Sequence, residues 1–283
     1  MGTVENLAEM GISNYSLGDH EKAEKYFSQA LCRVDIEFLC SRVESNATNT
    51  IQSDDVVKSR TNIINDSEDN ASVPTETETK NRPEYDEGMR VYDSPLPLQN
   101  HYRPDLVALT LHYNIAQTYV RRGPHQDAKK WFHRALARCN VSDEEGTFLL
   151  VKVLHGLGYS SYRTGHESKS MSYYEQALSV ISDLHLGAAH VAASLNCIGV
   201  LCFNQELCSR PKAMDMLCQS LELYRSCKGH DLVSIATVLN NIGRLYYLRS
   251  EFKEALVVYG ESLQIRREFL GSDSIDVAAT IYN

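Results

Sequence analysis

Few residues here are spaced for chemistry. His185 and His190 stand five apart, not in the H-E-x-x-H arrangement that puts two imidazoles on one helix face around zinc. They read as capping or packing residues at a helix start. Asp143, Glu144 and Glu145 form an acidic run just ahead of a helix expected from about Thr147, where negative charge complements the helix dipole. No serine elbow, glycine-rich phosphate loop or paired carboxylates on one helix face occurs. Eight cysteines are present, and Cys197, Cys202, Cys208 and Cys218 lack C-x-x-C spacing. They read as free thiols acting as small apolar residues in or beside helices. The chain therefore reads as non-enzymatic, with no cofactor and no metal.

One charge cluster stands apart. Residues 121–138 hold Arg121, Arg122, Lys129, Lys130, Arg134 and Arg138 against Asp127. A solvated helix face is the plain reading, and a basic rim that steers an acidic partner segment is the sharper one. Around it the 283 residues carry a net charge of −9, which disfavours nucleic acid as a partner. The acidity is uneven: residues 1–40 carry −4, residues 41–100 carry −6 and residues 101–283 carry +1. No apolar run approaches the roughly 20 residues a membrane-crossing helix needs, and the N-terminus does not read as a signal peptide. A cytoplasmic setting with no membrane role is the expectation. The Asn46, Asn65 and Asn70 sequons then read as chance matches.

The elements come from a repeat. Gly11, Ala116, Gly158, Gly199 and Gly243 occupy the middle of a first helix. Ala23, Ala128, Ser170, Ala213 and Ala255 open the core face of a second. Phe27, Phe132, Tyr174, Leu217 and Tyr259 follow four residues later, then Ala30, Ala135, Ala177, Ser220 and Ser262 after three more. Two antiparallel helices approach closely only where a small side chain faces the partner, and the large residue fills the space beside it. Gly18, Gly123 and Gly165 mark the turns, with Pro124 suited to a helix start. Four units are contiguous at about 42 residues; the first is separated from them.

These residues resemble the tetratricopeptide repeat, and the long period with joins such as Leu186-Gly187-Ala188-Ala189-His190 resembles its kinesin light chain subclass. The resemblance covers residues 101–283 and residues 5–37. It implies an all-α, α-α superhelix, a solenoid of antiparallel helix pairs. The expected domains are a detached helix pair at 1–40, an acidic disordered linker at 41–100, and an array of four repeats plus a truncated next helix at 101–283. The linker holds four of the seven prolines and runs such as NDSEDN and PTETETK. Gly199 and Ala213 stand two residues further apart than the matching pairs, so a two-residue bulge is expected over Asn204–Pro211. The chain stops at Asn283 inside a helix, which reads as a fragment or as an end covered by something else. Residues 1–100 lack sustained heptads, so motor association is not implied.

What the resemblance implies about function is a concave groove built by first helices. Family offsets place Tyr113, Gln117 and Arg121 there, then His155, Tyr159 and Tyr162, then Asn196 and Phe203, then Asn240, Arg244 and Tyr247. Tyrosine brings apolar area with a polar tip, and asparagine can pair with a peptide backbone on two edges. The expected function is a scaffold that binds extended peptide segments of protein partners, acidic ones among them. The Lys/Asn carboxylate clamp that grips chaperone tails is absent from these offsets. An intramolecular contact with linker 41–100, for instance through Glu84-Tyr85-Asp86-Glu87, is a further expectation. Self-association and the regulatory region of a larger enzyme are the alternatives.

Overall fold

The computed structural model describes residues 3–48, 89, 94–98, 103–139, 144–183, 187–205, 210–227 and 231–283. Most of linker 41–100, including the Glu84–Glu87 segment, lies outside the described residues, as do His185, Asp143 and residues 206–209. The described residues form eleven α-helices and no strand. They are α1 (Val4–Ser16), α2 (His20–Thr48), α3 (Pro104–Arg122), α4 (His125–Ala137), α5 (Glu144–Arg163), α6 (Glu167–Asp183), α7 (Ala188–Gln205), α8 (Arg210–Ser226), α9 (Leu232–Leu248), α10 (Phe252–Leu270) and α11 (Ile275–Tyr282). Second helices α4, α6, α8 and α10 begin at 125, 167, 210 and 252, so the expected period of about 42 residues is realised.

Local chemistry sets the helix ends. Thr3, Asp19, Asp231 and Ser274 each accept a hydrogen bond from a backbone N–H of the first turn. Gly18, Gly123 and Gly165 take positive φ in the turns between helices. The matching position of the last pair is Ser250, held at φ 62°.

The repeated small-on-large contact is the core of every pair. A Cβ built on Gly11 would stand 2.5 Å from Phe27, one on Gly158 2.7 Å from Tyr174, and one on Gly243 2.6 Å from Tyr259. At Gly199 the approach is 3.0 Å, to the smaller Leu217. Serines at the small second-helix positions add hydrogen bonds across three of the pairs. Ser170 donates to Gly158 O, Ser220 to Ala192 O and Ser262 to Ala236 O, each at 2.7 Å.

The last two bonds bear on the two extra residues of the fourth repeat. Ala192 and Ala236 both lie seven residues before their pair's small residue, and Ser220 and Ser262 both lie seven after the opening alanine. The same bond therefore forms in both pairs, so the two extra residues leave the register of the pair unchanged; residues 206–209, on which the expected bulge falls, lie outside the described residues.

The chain divides into two compact units, residues 1–80 with 94–156, and residues 81–93 with 157–283. In the first, the pair α1–α2 is distant in sequence from α3 but shares its core. Leu7, Ala8, Phe27 and Leu31 cluster with Val107, Leu111 and Ile115. Ion pairs reinforce the seam: Arg122 meets Glu24 at 2.5 Å and Glu21 at 3.5 Å, Arg138 meets Asp35 at 3.2 Å, and the Tyr119 hydroxyl donates to Glu24 at 2.7 Å. Arg122 and Arg138 of the basic cluster expected as a rim are thus matched within the chain, and Lys130 also meets Asp127 at 2.8 Å. The second unit stacks α6 to α11 in series.

The thiol reading needs correction. Cys202 is disulfide-bonded, and Cys218 is exposed rather than buried. Cys197 is a buried thiol outside any disulfide, as expected.

A left-handed backbone costs a non-glycine residue about 1 kcal/mol. Ser250→Gly should remove that strain at an exposed turn and raise the thermal midpoint by about 2–4 °C; a calorimetric scan of both proteins checks it.

Candidate functional site: a first-helix groove that holds extended chain

The side chain that holds extended chain sits two residues before the small residue of a first helix. In α3 that position is Asn114, wholly buried. Its carboxamide oxygen accepts from Leu96 N at 2.7 Å and its amide donates to Leu96 O at 2.8 Å. Both polar groups of one peptide residue are read at once, whatever its side chain. Pro95 and Pro97 lock φ and bias Ser94 and Leu96 toward extended backbone. Pro97 is exposed, while Leu96 and Leu98 are half-buried, and Leu98 packs on the core of the first unit. In the second unit, the same position of α7 is Cys197, whose thiol contacts Met89 O at 3.8 Å. Met89 is only 1% exposed. In α9 the position is Asn241, which donates to Asn196 Oδ1 at 2.8 Å, both buried.

The residues named from sequence fall one position away or further along the helix. Tyr113 is enclosed, with its ring 5.8 Å from Phe132, so it supports the helix pair and offers no surface. Gln117, His155, Tyr159 and Tyr162 are buried too. Tyr159 accepts from Arg163 at 2.9 Å. Asn196 is committed to Asn241, and Asn240 accepts from Asn283 at 3.1 Å. Phe203 is buried beneath the Arg244 guanidinium, 5.4 Å away. Arg121 and Tyr247 remain exposed. Arg121 donates to the Tyr15 hydroxyl at 3.1 Å, and Tyr247 meets Phe252 edge-on at 5.5 Å. Eight of the eleven residues expected on an open aromatic and amide face are thus buried. Neighbouring helices approach closely at the small residues, so side chains flanking those contacts are enclosed.

Two residues were missed. Asn114 carries a signal in hindsight, since an asparagine stands at the same offset in α9. Lys152, on the face of α5 that holds His155, carries none. Its amine lies 4.3 Å from the Phe148 ring, and burial pulls it down to about 8. Among the described residues no group of three or more His, Cys, Asp or Glu could hold a metal ion, and no helix is long and apolar enough to cross a membrane.

The folded state binds the Lys152 proton less tightly than the unfolded chain, whose lysines titrate near 10.4. Stability is therefore reduced at neutral pH and recovers as pH rises from about 8 toward 10. Lys152→Met should raise the thermal midpoint at pH 7 by about 2–4 °C, with the gain shrinking by pH 10; melting curves at both pH values decide it.

Three family models described as tetratricopeptide repeat match residues 4–31, 106–183 and 235–276, together a little over half of the chain. No curated protein matches the sequence. Among solved structures, BtubC (BKLC) from P. vanneervenii is similar, with 22% identity over 63% of this chain and 71% of that one and a TM-score of 0.54. A Podosopora anserina kinesin light chain structure with nearly identical TPR-like repeats has 16% identity over 63% of this chain and 83% of that one, with a TM-score of 0.46. With the small-on-large contact recurring in space at the spacing it has in sequence, the chain belongs to the tetratricopeptide repeat family, with a repeat period of about 42 residues.

Proposed function

We propose that this chain is a non-enzymatic adaptor whose first-helix grooves hold extended peptide segments of partner proteins, in a cytoplasmic setting. One observation carries the reading: Asn114 pairs with both backbone groups of Leu96, the chemistry by which a groove takes extended chain of any sequence. Leu98, packed on the core beside it, supplies a preference for an apolar residue two positions on. On this reading residues 94–98 act as an internal ligand, a strap that partner peptides must displace. An acidic partner preference has less support, because Arg122, Arg138 and Lys130 are paired within the chain.

Self-association is the second reading. It is favoured by the apolar residues that the last pair exposes, Phe252, Leu256 and Val257 on α10 with Ile281 and Tyr282 on α11. Concentration-dependent sedimentation of wild type against Leu256→Lys decides between a dimer and a monomer.

The strap competes at an effective concentration of about 1 mM. A labelled peptide of residues 92–100 should bind the full chain with residues 94–98 replaced by Gly and Ser. For a peptide of about 100 μM affinity, wild type should bind about tenfold more weakly. Asn114→Ala in the replaced chain should abolish binding while helical circular dichroism persists. Fluorescence anisotropy reads all three, and no binding to the replaced chain would sink the reading.

A further inference from the structure

The strap begins at Ser94, an exposed serine directly before Pro95. Ser94 and Pro95 line a cleft of about 450 Å³ together with Tyr15, His20 and Arg121. Arg121 brings a guanidinium to this cleft, and its position there is pre-set. Arg121 is oriented by the Tyr15 hydroxyl, 3.1 Å from its Nε, and its guanidinium lies 6.0 Å from the Tyr15 ring centroid. His20 stacks edge-on against the same ring at 4.8 Å, with a buried Nδ1 that has no hydrogen-bond partner. Burial, then the charges of Arg121 and Arg122, hold His20 below its usual range, against the opposing pull of Asp19.

A guanidinium fork matches phosphate geometry, and an arginine site facing a phosphoserine orders the segment that carries it. Serine followed by proline in extended chain is the pattern that proline-directed protein kinases accept. We infer that Ser94 is a phosphorylation site, and that its phosphate, received by Arg121 and His20, latches the 94–98 strap onto α3. The regulatory sense rests on the strap reading above: phosphorylation closes the groove. In the transfer, Ser94 Oγ bonds to the γ-phosphorus of the kinase's nucleoside triphosphate. The bridging bond to the β-phosphate breaks, the nucleoside diphosphate leaves, and the hydroxyl proton passes to the kinase. Because Leu96 is clamped, the kinase meets the strap while it is released, and Asn114→Ala should be modified faster than wild type.

The test treats the full chain with a proline-directed kinase and nucleoside triphosphate, with Ser94→Ala as the control. Amide hydrogen exchange is then followed at Leu96, the residue whose N–H Asn114 accepts. Phosphorylation should slow that exchange about tenfold, as one or two charge-assisted hydrogen bonds would. The slowing should vanish when phosphorylated and unmodified Arg121→Gln are compared. Failure of Ser94 to take phosphate in either wild type or Asn114→Ala overturns the proposal. So does unchanged or faster exchange at Leu96, or slowing that persists in Arg121→Gln. No partner peptide enters this measurement, so it stands or falls separately from peptide binding.

Discussion

The structure depends on one contact, the face of a large second-helix residue against a first-helix backbone that has no side chain in the way. At Gly11, Gly158 and Gly243 the aromatic ring stands where a Cβ would be. That geometry sets the distance between the two helices, and the distance decides what else can happen on them. Serine hydroxyls reach carbonyls across the pair only because the axes are close. Burial of the small-residue seam also fixes which side chains of the first helix point away from it, and these are the ones that can meet another stretch of chain.

Charge and apolar burial share the work of joining the first pair to the array. The acidic residues of α2 face the basic ends of α3 and α4, so an imbalance visible as −4 in residues 1–40 and as a basic cluster at 121–138 is partly cancelled inside one unit. Partly exposed pairs of this kind contribute little each, about 0–1 kcal/mol. The shared core of Leu7, Phe27, Val107 and Leu111 contributes more, and the ion pairs chiefly set the register. Internal pairing also changes what the cluster offers to others. Arg121, directed at Tyr15 and a cleft, is differently placed from Arg122, which faces glutamates.

A side-chain amide suits the role of Asn114 because it carries a donor and an acceptor in the spacing of a peptide group. Asn241 uses the same chemistry on another side chain, Asn196, and closes a seam between first helices. Cys197, at that offset, makes only a long contact with a carbonyl. One structural position thus serves as a peptide reader, a packing residue or a helix-to-helix link, according to the residue placed there.

The repeat period and the helix pairing were legible in the sequence, because each follows from the spacing of small and large residues along one chain. The site was read only to within a helix face. Offsets carried from a family placed Tyr113, Asn196 and Asn240 on an open surface, where the packed helices bury them. Sequence by itself determined which residues lie on first helices and which are small. Tertiary structure alone decided which first-helix side chains are covered, that Asn114 meets Leu96, and that Ser94 shares a cleft with Arg121. The reason is that these contacts join residues 18 and 27 positions apart through segments with no shared period. Their meeting depends on the three-dimensional approach of packed helices, which no spacing along the chain encodes.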